Sequence, residues 1–81
     1  MIFLIEYNRP KGRIIKLEEF VEADRLKAEN ARLDIELELN RKKIDHEVVL
    51  LEAESETALR RTHRRYFEDL SEMVKSLSDS N

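Results

Sequence analysis

The densest chemistry in this sequence lies in the run Arg60-Arg61-Thr62-His63-Arg64-Arg65 and the Tyr66 that follows it. Four guanidiniums within two helical turns can clamp a phosphate or carboxylate through paired N–H donors. Tyr66 adds a ring on which a base could stack, so the same group could track a nucleic-acid backbone. His63 is the titratable member, a general base or a pH-sensitive contact. Arg60, Arg61, His63, Arg64, Arg65 and Tyr66 are therefore the candidate binding residues. A plainer reading competes with this one. Glu56 precedes Arg60 by four residues, Glu68 follows Arg64 by four and Asp69 follows Arg65 by four. At that spacing opposite charges compensate each other on a solvated helix face. Residues 57–67 carry +4, whereas 22–56 carry −5, eleven acids against six bases. In a homodimer, the arginines of one chain could meet the acids of the other.

Other chemistries have less to stand on. His46 lies between Asp45 and Glu47, but consecutive strand residues point to opposite faces and would not converge on one ion. The series Asp34, Glu36, Glu38 would spread around a helix or line up on an exposed strand face, and neither makes an acid–base pair. A single glycine rules out a glycine-rich phosphate loop, and the absence of cysteine removes disulfides, thiolate catalysis and cysteine-ligated metals. No catalytic residue, metal site or cofactor is expected, and a His63-based enzyme is the weakest reading. Net charge is −3, so a basic field over the whole domain is lacking, which disfavours nucleic acid as a partner.

The elements that must position these residues can be read from composition and period. Ile2 to Tyr7 is apolar on both alternating faces, the mark of a central strand covered on two sides. Asn8-Arg9-Pro10-Lys11-Gly12 is a turn, and a second strand over about 13–20 completes a hairpin. Helix formers without interruption predict a helix over 22–42. The strict alternation Leu33-Asp34-Ile35-Glu36-Leu37-Glu38-Leu39 would also suit a strand, but leucine and glutamate favour helix. Read as helix, this segment carries two apolar stripes: Leu26, Leu33 and Leu37 on one side, Ala28, Ala31, Ile35 and Leu39 nearly opposite. One stripe can pack on the sheet; the other requires a C-terminal helix or a second subunit. A third strand is expected at 46–52. Beyond it Ser55 caps a helix whose stripe Leu59, Thr62, His63, Tyr66, Leu70, Met73, Leu77 extends it to about residue 75.

The order strand, strand, helix, strand, helix is that of a single α+β domain over 1–75, with 76–81 as a frayed tail. A right-handed crossover makes the second and third strands parallel. With the first strand between them, the sheet is three-stranded, mostly antiparallel and ordered 2-1-3. Both helices are expected on one face, which leaves apolar side chains of the other face uncovered. Such a patch usually marks an interface, and 81 residues bury a modest core, for which dimerisation is a common remedy. The apolar run Ile2–Ile5 is too short for a signal-peptide core, no segment suits a membrane span, and the expected location is cytoplasmic.

The stretch Glu47–Glu56, continuing through Ala58–Phe67, together with the hairpin opening Ile2-Phe3-Leu4-Ile5-Glu6-Tyr7, resembles small bacterial proteins with no assigned activity. The likeness spans 1–67 and implies a bacterial cytosolic origin, but no site. The leading functional expectation is a small interaction module that homodimerises, or meets an acidic protein, through the arginine-bearing face. Nucleic-acid or anion binding by Arg60, Arg61, Arg64 and Arg65 is the alternative.

Overall fold

The computed structural model describes residues 1–68. Three strands, β1 (Ile2–Asn8), β2 (Arg13–Phe20) and β3 (His46–Glu52), form one sheet ordered β2-β1-β3. β1 is antiparallel to both neighbours, so β2 and β3 run parallel to each other. A 3-10 turn (Glu22–Asp24) leads into α1 (Arg25–Lys42); β3 is followed by α2 (Glu56–Thr62) and the single turn α3 (Arg64–Phe67). This is the α+β fold and strand order that the sequence predicts.

Local chemistry sets most boundaries. The hairpin turn closes on Asn8, whose side chain accepts from Lys11 N–H at 3.0 Å and whose carbonyl accepts from Gly12 N–H at 2.7 Å. Gly12 has φ 65°, a conformation glycine enters without a Cβ clash. One residue further along the pairing, Glu6 faces Lys16 but Tyr7 faces Ile14, so Ile15 is left over as a bulge on β2. The 33–39 segment is helical. α1 ends where Lys43 turns left-handed, with Lys43 N–H on the Asn40 carbonyl and Ile44 N–H on that of Leu39. Ser55 caps α2 as expected, its Oγ accepting from Ala58 N–H at 3.1 Å.

Two expectations need correction. The helices do not share a face. Along β1 the side chains alternate, with Phe3, Ile5 and Tyr7 on one side and Ile2, Leu4 and Glu6 on the other. Phe3, Ile5 and Tyr7 form the main core with Leu59 of α2 and Tyr66 of α3. α1 lies across the opposite side, where Ile35 and Leu39 border a cleft with Glu6 and His46, and Arg25 is paired with Glu52. The physical reason is β1 itself. A central strand apolar on both faces needs a cover on each, and two helices supply one apiece. Ile2, Phe3, Leu4 and Ile5 are all 0–1% exposed, so the uncovered sheet patch expected from the sequence does not exist.

The C-terminal helix is also not continuous. It breaks at His63 (φ −123°, ψ 52°), whose N–H still closes α2 on the Leu59 carbonyl and whose own carbonyl accepts from Tyr66 N–H to begin α3. Beyond the break Tyr66 is buried and Phe67 packs against the same core. The proposed extension of this helix to residue 75, its stripe positions Leu70, Met73 and Leu77, the Arg65–Asp69 pair and the tail 76–81 lie outside the described residues.

Candidate functional site

The arginine segment does not form one surface. Its organiser is Glu47, on the β3 face that looks toward α3. One carboxylate oxygen accepts from Tyr66 O–H and from Arg65 Nη2, the latter at 2.9 Å; the other accepts from Arg9 at 3.4 Å. The Arg65 guanidinium also lies 4.1 Å over the Tyr66 ring, and Tyr66 meets Tyr7 edge to face at 5.2 Å. Burial, then the Glu47 carboxylate, pushes the Tyr66 phenol up to about 12. The Tyr66 hydroxyl foremost, with Arg65 and Arg9, holds Glu47 below the ordinary carboxylate range against an opposing desolvation. This is a clamp that fixes α3 to the sheet. It occupies two of the six candidate residues, Arg65 and Tyr66, in structural contacts.

The other four separate. Arg60 leans over the Phe67 ring at 4.6 Å and pairs with Glu56 at 3.4 Å, as its spacing predicts. Together with Arg13, Ile14, Leu17, Tyr66 and Phe67 it borders a shallow groove of about 350 Å³. The expected pairing of Arg64 with Glu68 does not form, because α3 stops at Phe67 and Glu68 is extended. Among the described residues Arg61 and Arg64 make no ion pair and are exposed. His63 is half-buried at the helix break. All four arginines are exposed; Arg60 and Arg65 are engaged by carboxylates and rings, whereas Arg61 and Arg64 make no ion pair among the described residues.

One feature escaped the sequence reading. On the α1 side, His46 Nδ1 and Glu6 Oε2 lie 2.6 Å apart and half-buried, at the end of a cleft of about 510 Å³ floored by Ile35, Leu39 and Ile44. The pairing follows from register. Glu6 stands opposite Val48 and Asn8 opposite His46, so Glu6 and His46 are diagonal neighbours on one face. Glu47, next in sequence, points the other way to Tyr66, as alternation requires. Among the described residues no three His, Asp or Glu side chains gather as a metal site, and no helix is long and apolar enough to cross a membrane.

A second feature, which the sequence marks, is the outer side of α1. Ala28 is fully buried and Ala31, Ile35 and Leu39 are partly covered on the sheet side, whereas Leu26, Leu33 and Leu37 are 70%, 50% and 59% exposed. The two stripes are those the sequence marks. The outer one has no cover from α2 or α3, which sit across the sheet.

Compared with protein-family models, curated proteins and solved structures, the chain matches none. The resemblance to small bacterial proteins gains no support from these comparisons.

Proposed function

We propose that the protein is a small interaction module that homodimerises, and that its contact surface is the outer face of α1. The observation that carries this reading is the exposure of Leu26, Leu33 and Leu37 on one stripe of an 18-residue helix whose other stripe already covers the sheet. Three exposed leucines in a line form the kind of contiguous apolar patch that a partner usually covers. The surface differs from the one expected at the outset. The sheet is closed on both faces, and Arg65 and Tyr66 are engaged internally, so the arginine segment is left with Arg61 and Arg64 as contacts for an acidic partner.

Sedimentation velocity at rising micromolar concentration tests the reading. A monomer–dimer equilibrium is expected, and Leu33→Asp with Leu37→Asp should abolish it while leaving the far-UV circular dichroism unchanged. A chain that stays monomeric throughout overturns it.

Anion binding remains the second reading, supported by the exposed Arg61 and Arg64. It predicts retention of RNA or of a polyanion at low salt that weakens steeply as salt rises and is lost in Arg61→Ala with Arg64→Ala.

A further inference from the structure

We infer that the cleft between α1 and the sheet is a binding site for a small primary amine with a hydrocarbon body, its ammonium held by Glu6 and His46. The inference goes beyond the dimer reading and does not depend on it, since Leu26, Leu33 and Leu37 lie on the other side of α1.

The cleft measures about 510 Å³, the size of a small-molecule site, and such sites are mostly apolar with a few placed polar groups. Its walls come from different elements. On α1, Ile35 and Leu39 are four residues apart and form one partly covered row. Asp34, Glu38 and Lys42 recur at the same spacing and form the exposed row beside it. Ile44, just past the end of α1, extends the aliphatic surface. On the sheet stand Glu6 of β1 and His46 of β3, their side chains 14% and 16% exposed. A hydrocarbon chain can lie along the aliphatic row with its head at the sheet pair.

That pair defines the head. A neutral imidazole beside a carboxylate keeps its proton on the nitrogen facing it, and His46 Nδ1 lies 2.6 Å from Glu6 Oε2. Nε2 of His46 and Oε1 of Glu6 are left without a hydrogen bond among the described residues, and both are acceptors. Neither is sealed in, since Arg32 Nε is the one buried side-chain polar atom without a partner among the described residues. An ammonium brings three N–H donors and no acceptor, so it can serve both atoms and still reach water. A carboxylate or phosphate brings only acceptors.

The surrounding charge selects the same head. Glu6, Asp34 and Glu38 face Lys42 alone, or Lys42 and His46 when the imidazole is charged, so the lining is negative either way. Glu38 is engaged by Arg41 at 2.7 Å and Lys42 at 3.0 Å, whereas Asp34 makes no ion pair among the described residues. Lys16 stands opposite Glu6 on β2, but its ammonium pairs with Glu18 at 3.5 Å and it does not line the cleft. The cation that complements Glu6 and Asp34 is left for a ligand to supply.

Hexylamine, hexanol and hexanoate share one hydrocarbon length and differ in the head, so they test the site on the unaltered chain. In NMR titrations at neutral pH, hexylamine should move the His46 ring nitrogens and the methyl signals of Ile35, Leu39 and Ile44. It should bind about tenfold more tightly than hexanol, and hexanoate should move none of these signals. Glu6→Gln, which keeps the shape and removes the charge, should weaken hexylamine by about tenfold with the far-UV circular dichroism unchanged. Equal binding of the three probes, preference for hexanoate, or shifts confined to Leu26, Leu33 and Leu37 would overturn the site. Tighter binding of Nα-acetyl-lysine methylamide than of hexylamine would overturn the small amine as occupant in favour of a protein lysine. The comparison of heads on the wild type decides the matter even where Glu6→Gln fails to fold.

Discussion

The two sides of the sheet are covered in different ways. Below Phe3, Ile5 and Tyr7, two short helical pieces, α2 and α3, insert large side chains: Leu59 and Tyr66 are buried, and Phe67 closes the edge. Across Ile2 and Leu4 lies one long helix whose only fully buried residue is an alanine. The short pieces are irregular because they must bring bulky rings and a tyrosine hydroxyl to fixed points. The long helix is regular because it lies on the sheet through small and aliphatic residues and keeps Leu26, Leu33 and Leu37 outside. Stability is therefore concentrated on the α2–α3 side, while the surface available to a partner is on the α1 side.

The difference can be broken most directly by truncation. Tyr66→Ala should cost about 3–5 kcal/mol, as for other buried aromatic truncations, because it removes the ring against Tyr7 and strips Glu47 of its hydroxyl donor. Leu26→Ala, measured where the chain is monomeric, should change stability by no more than about 0.5 kcal/mol. Urea denaturation of both variants compares the sides; equal losses would mean that the outer leucines are as much core as Tyr66 is. Next in size is Ala28→Leu. Ala28 has no exposed surface beneath α1, so added methylenes there should cost about 1–3 kcal/mol by overpacking. A neutral result would mean that α1 can lift from the sheet without loss.

A third change acts on the clamp alone. Tyr66→Phe keeps the ring and removes the O–H that Glu47 accepts, at a cost of about 1–2 kcal/mol. It should also alter the pH profile of stability at both ends. Glu47 is held below its ordinary value of 4.5, so its contribution is complete above that value and is lost as pH falls through the lower folded value. The Tyr66 phenol is raised from 10.0 to about 12, so the folded state holds that proton more tightly. Its contribution is complete below pH 10.0 and is lost as pH rises toward about 12. Thermal melts across both ranges should show an alkaline limb in the wild type that is missing from Tyr66→Phe, and a shallower acid limb in the variant.

What the sequence makes legible follows the range of the interaction involved. The hairpin, β3 at 46–52, the Ser55 cap and the two stripes of α1 depend on neighbours within a few residues, and all are readable. The alternation from Leu33 to Leu39 resolves as helix because leucine and glutamate outweigh a period that a doubly apolar helix also produces. The break at His63 is not readable; the contacts that accompany it, from Tyr66 and Arg65 to Glu47, reach another element many residues upstream. The Glu6–His46 pair likewise depends on strand register, which only the folded sheet fixes. The placement of the helices was within reach: β1 is apolar on both faces in the sequence itself, and that property demands two covers rather than one.

The smallest effect is expected where the sequence is most conspicuous. Arg60 pairs with Glu56 at 3.4 Å, but both side chains are about half exposed, 54% and 48%. Its stacking on Phe67 is likewise at the surface. An exposed i,i+4 pair contributes about 0.3–0.5 kcal/mol, and an exposed cation–π contact about 0.5–1 kcal/mol. Arg60→Ala should thus lower stability by no more than about 1.5 kcal/mol in urea denaturation, with part of the loss removed by high salt in the wild type. Arg60→Lys, which keeps the charge but loses the planar group over the ring, divides the two contributions. If Arg60→Ala instead approached the loss expected for Tyr66→Ala, the arginine would belong to the core on the α2–α3 side. The contrast between a closed side and an open one would then have to be redrawn around the groove that Arg60 borders.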